Sequence, residues 1–140
     1  MEFTDLANRV EQAGVRIVWA HLTPGHTGAA DPATSTIYLD TILDATPRHA
    51  ISTLAHELGH LTLGHTGPQP AHIEAATDEW AARLLISPVD YATAEHLLGP
   101  NPYLLAVELG VTEELIHAWQ RIIARSFSPE SIPDLIPAAA

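Results

Sequence analysis

The stretch Leu54-Ala55-His56-Glu57-Leu58-Gly59-His60 constrains this chain more than any other, because its spacing suits a chemical task that an α-helix makes possible. Residues four apart on a helix lie one turn above each other on the same face, so His56 and His60 can each give an imidazole nitrogen to one metal ion. Glu57 stands beside them, where a carboxylate can take a proton from water activated by that metal. The five letters of HExxH also arise by chance, so the surroundings must decide. They favour a helix: Thr46 can cap it, Pro47 suits its first position, Gly64 would end it, and Ile51, Leu54, Ala55, Leu58 and Leu61 form an apolar stripe. The stripe leaves His49, Thr53, His56 and His60 as a polar row on another face, where a cleft would lie.

A structural zinc site is closed by four protein ligands, whereas a catalytic one has three and keeps a position for water. The third ligand must therefore come from elsewhere. His65 follows too closely for the metzincin pattern, which would need His and Gly where Thr66 and Leu63 stand. His72, Asp78 and Glu79 remain, but Glu74 is the best candidate. In Glu74-Ala75-Ala76-Thr77-Asp78 the two acids face one side of a helix expected over about 71–86. Glu74 can then bind metal while Asp78 accepts the free ring N–H of a ligand imidazole, that of His56 by preference. An acid in the first turn of a helix is also favoured by the helix dipole, so capping is the competing role for Glu74. For His65 the expected role is at the helix end, close to the last carbonyls.

HExxH followed by ExxxD is the gluzincin arrangement, and here the chain resembles the ImmA/IrrE family of metallopeptidases. The matching residues are His56-Glu57-Leu58-Gly59-His60-Leu61-Thr62-Leu63-Gly64-His65 and Glu74 through Trp80-Ala81-Ala82-Arg83-Leu84-Leu85-Ile86-Ser87-Pro88. Ala76 stands where the family usually has a second Glu, Trp80 where it has Phe, and Ile86-Ser87-Pro88 where it has Met-Pro. None of these departures touches a proposed ligand. The resemblance covers residues from about 5 to 126. It implies a small cytoplasmic zinc protease whose substrate is a helix-turn-helix transcriptional repressor of a mobile element or stress response.

The remaining segments supply the frame. Residues 3–13 carry Phe3, Leu6, Ala7 and Val10 at helical spacing, with Thr4 or Asp5 near the start and Gly14 as a stop. Residues 15–22 and 36–39 read as strands, joined by a turn-rich connection containing Pro24, Gly25, Gly28 and Pro32. Thr36 to Leu39 could be an edge strand that binds substrate backbone by strand addition, or part of a plain core hairpin. His21 and His26 have no interpretable ligand spacing and are expected on the surface. Ser87-Pro88, Asn101-Pro102 and Thr112 each start a further helix. Ala106, Gly110 and Ile116 have helix-turn-helix spacing, but Glu113 and Glu114 would face phosphates at the head of a recognition helix, so packing against the rest of the chain is expected instead of DNA binding.

Composition narrows the partners. Six basic against seventeen acidic residues give a net charge of −11, which argues against direct contact with nucleic acid. The absence of Cys excludes disulfides and thiolate metal sites. Without a signal-like or long apolar run, a cytoplasmic protein with no membrane partner is expected.

The expected fold is α+β: a zincin-like small β-sheet packed on an active-site helix pair, with additional C-terminal helices. Residues 1–127 form a single domain in this reading, with a helix-turn-helix-shaped part at 101–126 and a Pro/Ala-rich tail at 128–140. The expected activity is that of a zinc-dependent endopeptidase, with His56, His60 and Glu74 on Zn²⁺, Glu57 as general base and Asp78 orienting a ligand. For the group that stabilises the oxyanion, His65, His72 and Tyr91 are the candidates. The alternatives are a non-cleaving antirepressor built on the same fold, which binds its partner without cutting it, and a zinc hydrolase acting on a small amide.

Overall fold

The computed structural model describes residues 1–126, so the expected tail at 128–140 lies outside the described residues. The fold is α+β, and the described residues form six α-helices and a three-stranded mixed sheet. Helix α1 (Phe3–Gln12) leads into β1 (Arg16–Ala20), β2 (Gly28–Asp31) and β3 (Thr36–Asp40). A 3-10 turn (Thr41–Ala45) then delivers the chain to α2 (Pro47–Leu63) and α3 (Ala71–Leu85). Helices α4 (Pro88–Leu98), α5 (Pro102–Leu109) and α6 (Glu113–Ser126) follow.

The start of α1 differs in detail from the expectation. Its cap is Glu2, and Asp5 closes a reciprocal capping box by accepting the Glu2 backbone N–H at 3.2 Å. Thr46 stands at the N-cap position of α2 but makes no side-chain cap, its hydroxyl donating instead to the Leu43 carbonyl at 3.3 Å. Pro47 sits in the first turn of α2, and Gly64 ends that helix with φ 76°, a left-handed conformation in which glycine has no Cβ penalty. Ser87 accepts from the Asp90 N–H at 3.4 Å to cap α4, and Asn101 accepts from Tyr103 and Leu104 to cap α5.

The sheet order is β1-β3-β2, with β3 parallel to β1 and antiparallel to β2. This overturns the edge-strand reading of Thr36 to Leu39. That segment is the middle strand, its Ile37 and Leu39 fully buried and its backbone paired on both sides. β1 and β2 are the edges, and the one beside α2 is β2, inside what the turn-rich composition suggested was a connection. A strand reading Gly-Ala-Ala-Asp carries no β-branched or aromatic residue, so local propensity could not reveal it.

The core runs from Leu6 and Val10 of α1 through β3 to Ile51, Leu54 and Ala55 of α2, then to Leu105, Leu115 and Ile116 on the C-terminal helices. Leu54 is fully buried, and removing such a side chain typically costs about 2–5 kcal/mol. Leu58 and Leu61 complete the stripe of α2 but are only half-buried. Trp19 of β1 leaves 39% of its surface exposed and tilts against Phe3 at the sheet margin.

Helices α5 and α6 make the expected pair, and α6 also packs along α3. Glu79 of α3 accepts from Arg121 Nε at 3.3 Å and pairs with Arg125, tying the two helices together. Ser52 of α2 accepts the Thr112 N–H at 3.0 Å, which fixes the α5–α6 turn against the N-terminal half of α2. Among the described residues no helix is long and apolar enough to cross a membrane.

Candidate metal centre

Helix α2 carries His56, Glu57 and His60, and α3 crosses it closely enough to complete a site. The approach depends on Gly59, since a Cβ there would lie 3.0 Å from both Thr77 and Trp80 of α3. The two central letters of HExxH thus include the residue that lets the third ligand arrive. Glu74 Oε2 sits 2.9 Å from His56 Nε2 and 3.1 Å from His60 Nε2. Ligand atoms of the three residues all lie within 4.8 Å of one another.

This donor set fits a divalent cation. Two imidazole nitrogens and one carboxylate oxygen suit zinc and leave a fourth position open. Atoms sharing a tetrahedral ion at about 2.0–2.1 Å sit roughly 3.3 Å apart, so the observed spacings need only a small expansion. Glu74 is therefore more than a first-turn acid; it is the carboxylate on which both histidines converge.

Each of the two histidines is held by its other ring nitrogen. Asp78 Oδ1 lies 2.7 Å from His56 Nδ1, the pairing expected from the ExxxD spacing. His60 Nδ1 lies 3.1 Å from His65 Nδ1. The ring of His65 thus serves the metal centre, whereas its backbone N–H caps the His60 carbonyl at 2.9 Å. Both arrangements turn the Nε2 atoms toward Glu74.

The two environments differ electrostatically. Burial opposes charge on His56, but the hydrogen bond and charge of Asp78, with the charges of Glu57 and Glu74, outweigh it and raise its pKa above the usual histidine value. Burial and the neighbouring His56 hold the pKa of His60 below that value, against the pull of Glu74.

Glu57 points into the cleft from the buried side of α2. Only 8% of its surface is exposed, and no described residue donates a hydrogen bond to its carboxylate. Burial is the main reason its pKa is raised to about 7. It is packed by the edge strand: a Cβ at Gly28 would come within 2.8 Å of Glu57 Cγ and 2.7 Å of Thr53 Cγ2. Only glycine permits that approach.

Two cavities flank Glu57, of about 310 Å³ and 420 Å³. The first extends over His49, Ser52 and Thr53 to Thr112 and Glu114; the second follows β2 to His65 and residues 67–69. Of the oxyanion candidates, Tyr91 is buried elsewhere with its hydroxyl donating to Glu95, and His72 lines neither cavity. His65 lines the second but is engaged with His60. Sequence reasoning missed Gly28 and His26, which reach the site only because β2 folds beside α2.

An HExxH helix joined by a glutamate and an aspartate from the next helix defines the gluzincin class of metal centre, the class of the metallopeptidases. Within it, residues 10–118 match the family model described as Peptidase M78, IrrE N-terminal-like domain, and the chain belongs to that family. The match begins late in α1 and ends within α6, slightly inside the span of about 5 to 126 that the motifs suggested. No curated protein matches the chain.

Proposed function

We propose that this protein is a zinc-dependent endopeptidase acting on a regulatory protein. The observation that carries the proposal is the Glu57 carboxylate, buried and without a hydrogen-bond donor among the described residues, set beside three convergent candidate ligands. A carboxylate in such surroundings destabilises the fold in its charged form, and its placement makes sense as a proton carrier. His56, His60 and Glu74 would hold the metal, and Asp78 and His65 orient the two imidazoles. Zinc held there would supply Lewis acidity toward the scissile carbonyl and water. Glu57 accepts the proton of the attacking water and delivers one to the leaving amine nitrogen.

The open edge of β2 fits an extended peptide. The Asp40 N–H donates to the Thr27 carbonyl at 2.9 Å, which makes these residues a hydrogen-bonded antiparallel pair. By the alternation of such ladders, Gly28 and Ala30 turn their main-chain groups away from β3 toward the cleft. A substrate strand added there would lie across Glu57 and the metal ligands.

Family membership supports a protein substrate, and the ImmA/IrrE resemblance supports a helix-turn-helix repressor in the cytoplasm. Cleavage assays with wild type and Glu57→Gln, each loaded with zinc, test the reading. The variant is expected to keep zinc and partner binding yet cut at least ~100-fold more slowly, the lower range of general-base catalysis. Full relief of repression by Glu57→Gln would instead establish the non-cleaving antirepressor.

A further inference from the structure

We propose that His26 is a catalytic residue of this site, donating a hydrogen bond to the carbonyl oxygen of the peptide bond as negative charge develops on it. The inference rests on the endopeptidase reading above and adds the group that reading lacks.

Four residues line both cavities: His26, Gly28, His56 and Glu57. A residue shared by both stands at their junction. The bond to be cut must lie there too, because a general base has to be within hydrogen-bond reach of the water it activates. Of the four, His56 is engaged by Asp78 and Glu74, Glu57 is an acceptor when ionised, and Gly28 contributes no side chain. His26 alone brings a free side-chain donor.

Its ring is available for this task. His26 is exposed, and its imidazole has no hydrogen-bond partner among the described residues. Its main chain, in contrast, is fixed. The His26 N–H donates to the Thr23 carbonyl at 3.0 Å, and the next residue, Thr27, is bonded to Asp40. Asp40 also accepts the Leu22 N–H at 3.0 Å, so the loop is held at both ends by one residue of β3. A neutral imidazole always carries one N–H, so donation needs no extra proton.

Among the described residues that line both cavities, no other side chain offers a donor for this role. Neither cavity is lined by Lys or Arg. His49 lines the first cavity but not the second. A donor aimed at developing charge in a site of low dielectric typically contributes a factor of about 10²–10³ to the rate.

The test compares zinc-loaded full-length wild type, His26→Ala and His26→Gln by calorimetric titration with two probes. One is a phosphonamidate dipeptide, whose tetrahedral anion mimics the charged transition state; the other is the matching uncharged carboxamide. Zinc content is measured alongside. The expected result is that His26→Ala keeps its zinc, binds the phosphonamidate about 100-fold more weakly and binds the carboxamide within about threefold of wild type, with Gln restoring part of the loss. Equal phosphonamidate affinity in wild type and His26→Ala would overturn the inference alone. Equal weakening toward both probes would make His26 a mere binding wall and likewise overturn it. Failure of zinc-loaded wild type to bind the phosphonamidate would overturn the endopeptidase reading, and this inference with it.

Discussion

The cleft has two unlike walls. On one side α2 and α3 hold His56, His60 and Glu74 in a web in which every proposed ligand touches another, and both imidazoles are supported from behind. On the other side stands β2, a four-residue edge strand with small side chains, preceded by a loop that presents the His26 ring with no hydrogen-bond partner among the described residues. The helical wall is built to keep donor atoms in place, whereas the strand wall is built to leave backbone and ring groups open. The proposed hydrolysis needs both, since a metal would have to stay while the substrate comes and goes.

The largest effect should come from breaking the helical wall at its shared point. Glu74→Ala removes the carboxylate on which both histidines converge, and elemental analysis after dialysis should fall from about one zinc per chain to nearly none. Circular dichroism should show the fold retained, because Glu74 is only partly buried and its helix is anchored elsewhere by Glu79. Zinc retained at wild-type level would move the third ligand to another residue.

Breaking the strand wall should separate binding from metal. Ala30→Pro removes an N–H that faces the open edge, a substitution that edge strands tolerate. Zinc content should be unchanged, but affinity for an extended peptide analogue should drop by roughly tenfold, the equivalent of about 1.4 kcal/mol for one lost main-chain bond. Unaltered affinity would show that substrate does not add to β2.

The pH dependence of the metal-free protein sharpens the contrast. Glu57 has an ordinary value of 4.5 and is raised to about 7 in the fold, so the folded state binds its proton more tightly than the unfolded state. The corresponding stability is fully present below pH 4.5 and is lost as pH rises through about 7, a change on the order of 3 kcal/mol at most. The raised pKa of His56 works in the same direction. Urea titrations at pH 4.5 and pH 8 should show the loss in wild type, and Glu57→Gln should remove the part due to Glu57.

The last test compares the two supports within the helical wall, where the difference between the two variants should be the smallest effect. Asp78→Asn and His65→Ala should each weaken zinc affinity by roughly 10- to 100-fold, the usual range for groups that orient a ligand histidine. Asp78 should matter more, because a carboxylate strengthens its hydrogen bond by charge. Competition with a chromophoric chelator measures both. Equal loss would mean that the supports act only by holding ring orientation.

How much was legible follows the same division. HExxH, the Glu74–Asp78 pair, Pro47, Gly64, Ser87 and Asn101 all act within one helical turn or at a helix end. Local sequence spacing therefore reports them directly. Even the link between α2 and α3 was readable, because donor chemistry demanded a third ligand. β2 was not, since a short strand of small residues exists only through its pairing with β3. The partner of His65 was not readable either. The spacing put His65 at the end of α2, but only the turn taken there brings its ring onto His60.

By itself, then, the sequence determined the helices and singled out the candidate ligands and the candidate base, because these depend on periodicities that a chain carries along its own length. Tertiary structure decided that Thr36 to Leu39 is the central strand, that Gly28 packs against Glu57, and that His26 faces the junction of the two cavities. Those outcomes depend on strand order and on the closeness of packed backbones, quantities set by burial of the whole core rather than by any local pattern.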